Sequence, residues 1–361
     1  MKTKIKRIVS AFLSVIVLVS PALFSSCSAS RDEYTTFDFF ALDTYIALKL
    51  SNSSKNGGRL TEDYLTDISK KCADIIADVD AALSSYNTES EVYFLNGKVD
   101  MLLSPSEIFT SAYEAAYSVN ALTDGAYDYT LGALTEIWNV NGGGPVPKPE
   151  DITAALTHTG SDKFTLAGDS VKKSDPDAKI DFGGIGKGVA AQRILEYLDS
   201  TDVKYALISI GGNVGVIGEK KDSKTYKIGI RDPQKSDAVI GYMYIPSGFI
   251  SVSGDYERFF EEDGKKYHQI MDPKTGYPAD TELSSVAVYA QSGASADALS
   301  TALFVMGLDG ALDFYETRLI PFEAIFVTSD GQVVLTPGLG EEDFIMTSSD
   351  YKLIYKEENK K

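Results

Sequence analysis

A glycine-rich segment, residues 181–188 (DFGGIGKG), stands directly before a run of residues with a helical pattern. Glycines let a backbone approach a ligand closely, and the free N–H groups at a helix N-terminus attract phosphate. A P-loop needs Ser or Thr after its Lys, whereas Gly188 follows Lys187 here. Gly184, Gly186 and Gly188 also lack the spacing of the G-x-G-x-x-G dinucleotide fingerprint. The segment therefore predicts either a phosphate-binding turn or a tight turn that packs a helix on a sheet.

Asp297 and Thr301 are four residues apart in a segment with a helical pattern, residues 295–306. This spacing puts both side chains on one face of a helix. A carboxylate and a hydroxyl suit Mg²⁺, which takes few protein ligands and completes its octahedron with water and substrate phosphate. The alternative is an Asp near a helix N-terminus beside a Thr whose hydroxyl bonds back to the backbone.

Two polar segments, residues 253–258 (SGDYER) and 267–276 (YHQIMDPKTG), place His268 in a charged region of the sequence. A His next to carboxylates such as Asp255 and Asp272 suits general-base catalysis at neutral pH. The second segment also contains a D-P-x-T-G turn. The two segments predict either a catalytic cluster or a β-hairpin whose polar residues cap its turns.

The composition is that of a globular protein, since 43% of the 361 residues are hydrophobic and 24% are charged. It excludes a disordered chain, a fibrous protein and a multi-span membrane protein. The formal charge of −18 repels phosphate backbones, so we expect no nucleic-acid partner. An anionic ligand therefore needs local backbone donors or a metal ion.

Residues 1–26 have the pattern of a lipoprotein signal peptide. Basic residues from Lys2 to Arg7 precede an apolar run, and Cys27 follows two serines. We expect cleavage before Cys27, a lipid on its thiol, and a chain anchored at the extracytoplasmic face of the cell membrane. Residues 27–36 would then form a tether. The alternatives are an uncleaved anchor helix and simple secretion.

Residues 37–355 predict one α+β domain with packed helices and a mixed or largely antiparallel sheet. Apolar residues at helical spacing predict a helix over 61–83. The S-P-S-E sequence at 104–107 predicts a second helix, with Ser104 as its cap and Pro105 in its first position, that ends near Asn120. The remaining predicted elements are helices at 189–198 and 295–306, a loop at 142–149, and strands at 37–50, 205–210, 226–230, 249–253, 286–290 and 322–328.

Seven short motifs follow one another from about residue 37 to the C-terminal strands. They are LSSY at 83–86 with SE at 90–91 and LN at 95–96, DGAYDYT at 124–130 leading to Trp138, DFGGIGKG at 181–188, GGN at 211–213, SGDY at 253–256, DPKTG at 272–276, and AD at 296–297 leading to Gly307. Each motif alone is weak. In this order they resemble the ApbE family, the FAD:protein FMN transferases. Many family members are exported lipoproteins, which agrees with Cys27.

The resemblance implies a Mg²⁺-dependent transfer of the FMN half of FAD, through a phosphoester, to a Thr or Ser hydroxyl of an acceptor protein, with release of AMP. Carried over by position, Mg²⁺ would be held by Asp297, Thr301 and the carbonyl of Gly184. Flavin and nucleotide contacts would fall on Leu42, Tyr86, Ala126, Tyr127, Asp128, Asp181, Lys187 and Ile270. The ring of Tyr86 suits stacking on a flat ring system.

Two positions depart from the family pattern. The early Met-Gly-Thr of the family is Leu42-Asp43-Thr44 here, and Gln269 stands where the family usually has a His. Gln cannot act as a base, which leaves His268, Asp255 and Asp272 as candidates. We favour a carboxylate, because a shift of one residue along a strand turns the side chain to the opposite face.

Three functions therefore compete. The leading one is a Mg²⁺-dependent flavin transferase. The second is an FAD pyrophosphatase that uses water as acceptor and yields FMN and AMP. The third is a flavin-binding lipoprotein without catalysis. Gln269 favours the third function, whereas Asp297 with Thr301 favours an enzyme.

Overall fold

The computed structural model describes residues 33–97, 100–219 and 225–356. The predicted signal peptide, Cys27 and residues 27–32 of the predicted tether lie outside these ranges. Within them the α-helices are α1 (Glu62–Leu83), α2 (Glu91–Gly97), α3 (Glu107–Leu122), α4 (Gly132–Trp138), α5 (Pro149–Leu156), α6 (Gly186–Asp199) and α7 (Gly293–Glu316). The strands are β1 (Tyr34–Ala41), β2 (Thr44–Ser51), β3 (Met101–Leu103), β4 (Phe164–Ala167), β5 (Ser170–Lys173), β6 (Ala206–Ile210), β7 (Asn213–Ile217), β8 (Tyr226–Asp232), β9 (Lys235–Ile245), β10 (Gly248–Gly254), β11 (Phe259–Glu262), β12 (Lys265–His268), β13 (Leu283–Ala290), β14 (Glu323–Thr328), β15 (Gln332–Leu335), β16 (Phe344–Met346) and β17 (Lys352–Tyr355).

A nine-stranded sheet lies at the centre, in the order β1-β2-β6-β7-β10-β13-β14-β15-β17. Its neighbouring strands are antiparallel except for β15 and β17, which are parallel. The other strands form two three-stranded sheets, β16-β9-β8 and β3-β5-β4, and the hairpin β11-β12. The prediction of an α+β fold with a mixed, largely antiparallel sheet is confirmed.

The two faces of the central sheet bury different partners, because successive side chains of a strand point to opposite faces. Ile46, Leu48 and Ile208 pack in a core shared with helices α1, α3, α6 and α7. Ile250 and Ile325 pack against the sheet β16-β9-β8. The domain is therefore built as a helical layer, a central sheet and a second, smaller sheet.

Helix α7 lies in the core of the helical layer, on strands β10 and β13 and beside α6. By length and composition alone it could cross a membrane, but most of its side chains are buried inside the protein. Gly307 interrupts the helix with a φ of 71°. The N–H of Leu308, directly after the break, donates to Oε1 of Glu282 over 2.6 Å. The segment that carries Asp297 and Thr301 is thus a helical unit of its own.

The predicted single strand 37–50 is wrong, because β1 and β2 form a hairpin. Leu42 and Asp43 make its two-residue turn, with φ values of 51° and 54°. Positive φ at both central positions is the geometry of a type I′ turn, which usually contains Asn or Gly. Leu42 and Asp43 are not typical residues of this turn, so the sequence did not predict a hairpin here. Strand β1 also begins at Tyr34, inside the predicted tether.

The start of α3 also differs from the prediction. Its cap is Ser106, whose hydroxyl accepts the N–H of Phe109 over 3.1 Å, and not Ser104. The N–H of Ser106 itself donates to the carboxylate of Glu91, at 3.0 Å. Ser104 has a φ of 49° and lies before the helix with Pro105.

The remaining predicted elements are present, with shifted ends. Helix α1 matches the predicted span and is capped by Thr61. Helix α6 begins at Gly186, three residues earlier than predicted, and α7 extends beyond both predicted ends. The predicted strands after residue 200 correspond to β6, β8, β10, β13 and β14.

The two candidate caps of α3 give a test of the fold. Ser106→Ala removes the only side-chain acceptor that the structure gives the first turn of α3, and we expect it to lower the free energy of unfolding by about 1 kcal/mol. Ser104→Ala is the matched control and should change it by less than about 0.5 kcal/mol, as surface changes usually do. Urea unfolding at constant m-value measures both. Equal losses in the two variants would contradict the assigned cap.

Candidate active site

A cleft of about 1430 Å³ opens beside the start of α6. The turn between β1 and β2, the loop after α1, the glycine-rich segment 181–188 and the start of α7 contribute to its walls. Every residue that the sequence assigned to flavin, nucleotide or metal lines this one cleft. These residues are Leu42, Tyr86, Ala126, Tyr127, Asp128, Asp181, Gly184, Lys187, Ile270, Asp297 and Thr301. Their individual roles remain predictions.

The close packing of α6 on α7 brings Asp297 to the glycine-rich segment. A Cβ on Gly188 would lie 2.1 Å from the carbonyl oxygen of Gly293 and 2.7 Å from Cβ of Asp297, so no larger residue fits there. The N–H of Gly188 donates to Oδ2 of Asp297 over 2.8 Å, and Oδ1 lies 3.9 Å from Nζ of Lys187. The Asp297 carboxylate is buried and fixed in orientation by this bond.

Thr301 follows one turn later on α7 and faces the same segment. A Cβ added to Gly184 would meet Oγ1 of Thr301 at 3.3 Å and the ring of Tyr127 at 3.1 Å. On the other side, Oγ of Ser253 lies 3.3 Å from Oγ1 of Thr301 and 2.7 Å from Oγ of Ser300. Gly184 on the turn therefore lies next to Thr301 and Asp297 on α7, and β10 contacts that helix through Ser253.

This donor set fits Mg²⁺. A carboxylate, a hydroxyl and a nearby backbone carbonyl are hard oxygen ligands, and they leave room for water and phosphate. The absence of a side chain at Gly184 keeps the space next to Thr301 free. The hydroxyl of Tyr127 beside this space is buried and has no hydrogen-bond partner among the described residues. Burial is the main cause that raises the pKa of Tyr127, and the negative charges of Asp297, Asp181 and Asp128 raise it further. This hydroxyl therefore stays protonated and can donate a hydrogen bond.

Two other carboxylates of the cleft hold its loops in place. Asp181 accepts the N–H of Gly183 at 2.7 Å through Oδ1 and the hydroxyl of Thr135 at 2.7 Å through Oδ2. Asp128 accepts both the N–H and the hydroxyl of Thr130, at 2.8 and 2.6 Å. Burial raises the pKa of Asp128, although the bonds to Thr130 oppose the shift. Tyr86, in contrast, is 67% exposed and presents its ring at the rim.

His268 lies outside the cleft, contrary to its predicted role as the base. Its ring is buried against Phe304, Nε2 lies 3.0 Å from the carbonyl oxygen of Ala279, and Nδ1 accepts the N–H of Ile270 over 3.3 Å. Burial lowers its pKa, which keeps the ring neutral near pH 7. Both ring nitrogens are thus occupied by backbone groups, and His268 has a structural role.

Asp255 and Asp272, the carboxylates favoured from the sequence, also lie outside the cleft. Asp255 accepts from Nζ of Lys266, a residue of β12, at 2.5 Å. Asp272 accepts the N–H of Lys274 at 2.9 Å and the hydroxyl of Thr275 at 3.0 Å, so it caps the D-P-x-T-G turn. The three candidate bases therefore make hydrogen bonds within the hairpin region and its turns, and they do not line the cleft.

The cleft wall also contains residues to which the sequence gave no role, among them Arg231, Glu257, Arg258 and Gln269. Glu257 lies in the same SGDYER motif as Asp255 and was missed because residues 255–258 form a turn, where the alternation of a strand gives no guidance. Gln269 also lines the cleft.

The chain belongs to the ApbE family, whose sequence profile matches residues 42–326. A protein of Haemophilus influenzae named FAD:protein FMN transferase is 33% identical over 276 residues, which are 72% of this chain and 78% of that protein. A Treponema pallidum protein of the same name is 30% identical over 289 residues, 73% of this chain and 78% of that protein.

Solved structures agree with this assignment. The crystal structure of the ApbE protein from Thermotoga maritima has a TM-score of 0.73 at 33% identity and covers 83% of this chain and 96% of its own. The flavin transferase ApbE from Vibrio cholerae has a TM-score of 0.70 at 27% identity and covers 82% of this chain and 95% of its own.

The metal donors can be tested by binding alone. Asp297→Asn keeps the size of the side chain but removes its charge, and we expect it to weaken Mg²⁺ binding in the presence of FAD at least about tenfold. Asp309→Asn, on the exposed surface of the same helix, is the matched control and should bind Mg²⁺ as the unchanged protein does. Isothermal titration calorimetry measures the affinities. Unchanged binding in Asp297→Asn would remove this residue from the metal site.

Proposed function

We propose that this chain is an FAD:protein FMN transferase, which attaches the FMN half of FAD through a phosphoester to a Thr or Ser hydroxyl of an acceptor protein and releases AMP. The observation that carries the proposal is the convergence of Asp297, Thr301, Gly184 and Lys187 in one cleft that is large enough for a dinucleotide. Membership of the ApbE family supports the same activity.

The residues at the start of α6 suit the pyrophosphate of FAD. Gly184, Gly186 and Lys187 line the cleft where the positive end of the helix dipole points. The ammonium group of Lys187 lies 3.4 Å from the carbonyl oxygen of Gly183, so it is held over the same turn. These local charges attract an anion although the chain as a whole carries −18.

Mg²⁺ would be held by Asp297, Thr301 and the carbonyl of Gly184. When bound, it supplies positive charge to phosphate oxygens and so stabilises the charge that grows during phosphoryl transfer. Two contacts within the chain position these side chains. The N–H of Gly188 orients the carboxylate of Asp297, and the hydroxyl of Ser253 contacts the hydroxyl of Thr301.

The transfer itself is a displacement at phosphorus. The oxygen of the acceptor hydroxyl forms a bond to the phosphorus on the FMN side, and the bond from that phosphorus to the bridging oxygen breaks. The electron pair of the broken bond leaves with AMP, and the hydroxyl proton passes to a base. The exposed ring of Tyr86 is suited to hold the flavin at the rim, where a protein acceptor can reach the site.

Incubation with FAD, Mg²⁺ and an acceptor flavoprotein domain carrying a Thr at its attachment site tests the activity. We expect the mass of the acceptor to rise by FMN less one water, with one AMP released per adduct. Mass spectrometry of the acceptor and chromatography of the nucleotides measure both products. Release of FMN and AMP without an adduct would identify an FAD pyrophosphatase instead. Unchanged FAD would identify a flavin-binding protein without catalysis.

We also propose that the chain acts outside the cytoplasmic membrane, anchored by a lipid on Cys27. The basic residues, the apolar run and the position of the Cys in the first 27 residues support this. In a bacterial host, Cys27→Ser should move the protein out of the membrane fraction and abolish labelling by a radioactive fatty acid. Cys72→Ala, a change at the free buried Cys of α1, is the control and should keep both properties. Unchanged labelling of Cys27→Ser would overturn the proposed anchor.

A further inference from the structure

The transfer needs a base, and none of the three candidate bases, His268, Asp255 and Asp272, lines the cleft. The backbone N–H of Gln269 donates to the carbonyl oxygen of Arg258 over 3.1 Å. This bond places the turn 255–258 directly beside Gln269, and both segments line the cleft. A proton acceptor on that turn would therefore stand in the cleft, next to Gln269.

Glu257 is such an acceptor. Its side chain lines the cleft and is partly buried, and its carboxylate makes no hydrogen bond or ion pair with the described residues. Asp181, Asp128 and Asp297 each accept from backbone N–H groups. Asp80 accepts from the side-chain amide of Asn87 at 2.8 Å, and Glu89 is exposed. Asp43 lies exposed at the rim. Glu257 therefore has lone pairs that are free to accept a proton from a bound ligand.

The Gly211-Gly212 turn places Glu257 close to the predicted phosphate site. A Cβ on Gly212 would lie 2.9 Å from Oε1 of Glu257, and a Cβ on Gly211 would lie 3.7 Å from Cδ of Lys187. One narrow turn thus separates the free carboxylate from the Lys that faces the pyrophosphate. This spacing suits a base that must reach a hydroxyl next to the attacked phosphorus.

The charges around Glu257 suit the same task. Burial raises the pKa of Glu257 above its ordinary value, and this shift brings the carboxylate nearer to the strength that a general base needs at neutral pH. The charged groups that face it are Lys187 on α6, Asp297 on α7, Arg231 on β8 and Arg258 on its own turn. Asp297 adds to the shift, whereas the three cations oppose it.

We propose that Glu257 is the general base of the transfer. Its carboxylate takes the proton of the acceptor hydroxyl while the hydroxyl oxygen bonds to the phosphorus on the FMN side and the bond to AMP breaks with its electron pair on AMP. This assignment rests on the proposed transferase activity. It gives the role of base to a carboxylate on the turn 255–258.

Glu257→Gln tests the assignment, because the amide keeps the size of the side chain but cannot accept the proton. We expect kcat at saturating FAD and Mg²⁺ to fall by about 10²–10⁴-fold, the usual contribution of general-base catalysis. The dissociation constant of FAD, measured by quenching of flavin fluorescence, should change by less than about threefold, a difference below 1 kcal/mol. Glu261→Gln, an exposed position on the same hairpin, is the matched control and should keep the full kcat.

The pH dependence separates proton transfer from a merely structural role. A base must be deprotonated, so kcat of the unchanged enzyme should fall as the pH is lowered through the raised pKa of Glu257. This fall of kcat at low pH is the acidic limb of the pH profile. The limb should be absent in Glu257→Gln, whereas Glu257→Asp should retain it, with a kcat between those of the unchanged enzyme and Glu257→Gln. Far-ultraviolet circular dichroism and thermal unfolding verify that each variant is folded.

Three results would overturn the assignment. The first is a kcat of Glu257→Gln within about tenfold of the unchanged enzyme, below the general-base range. The second is a loss that appears in FAD affinity while kcat and the acidic limb persist, which would make Glu257 a binding residue. The third is an acidic limb that disappears in His268→Gln instead. If the unchanged enzyme itself forms no adduct, the proposed transferase activity fails first and the role of Glu257 in transfer falls with it.

Discussion

The candidate site depends on one close contact between two helices. Gly188 of α6 touches α7 so closely that a single additional carbon would overlap the backbone of Gly293. At this distance the N–H of Gly188 reaches the carboxylate of Asp297, and one hydrogen bond links the glycine-rich segment to helix α7. A wider separation would leave both groups buried without their partner, at a cost of about 1–3 kcal/mol for each unsatisfied group. The same contact therefore stabilises the fold and sets the geometry of the cleft.

Positive groups lie in the cleft of a protein whose overall charge is negative. The chain carries −18, and three of the carboxylates that line the cleft, Asp128, Asp181 and Asp297, accept hydrogen bonds from backbone N–H groups. Lys187, Arg231 and Arg258 lie on three different parts of the wall. A dinucleotide with a charged pyrophosphate thus meets fixed positive groups inside a protein whose surface repels anions. General repulsion of anions combined with local recognition favours selectivity for the correct anion.

The sequence predicted those parts of the site that local geometry determines. Asp297 and Thr301 lie on one face of α7 because four residues make about one helical turn, and the glycine-rich segment ends in the start of a helix, as its composition indicates. Strand alternation correctly indicated that His268 and Gln269 face opposite ways, since His268 is in the core and Gln269 is in the cleft.

The failures came where structure is set by contacts distant in sequence or by turns. Asp255 and Asp272 were chosen for their charge, but each is held by a neighbour within its own hairpin or turn. Glu257 lies only two residues from Asp255, and no periodicity could show that the turn points it into the cleft. The hairpin at Leu42 was missed for a related reason, because tertiary contacts impose a turn geometry on residues with little preference for it.

The break at Gly307 makes the two parts of α7 independent in register. In a continuous helix, inserting one residue rotates everything beyond it by about 100° around the axis. Here the helix stops at Gly307, and Glu282 caps the next stretch at Leu308. An insertion or deletion after Gly307 therefore does not rotate the part of α7 before it. The orientation of Asp297 and Thr301 is preserved. The protein can vary in this C-terminal part over evolutionary time, or be redesigned there, without disturbing the residues that face the cleft.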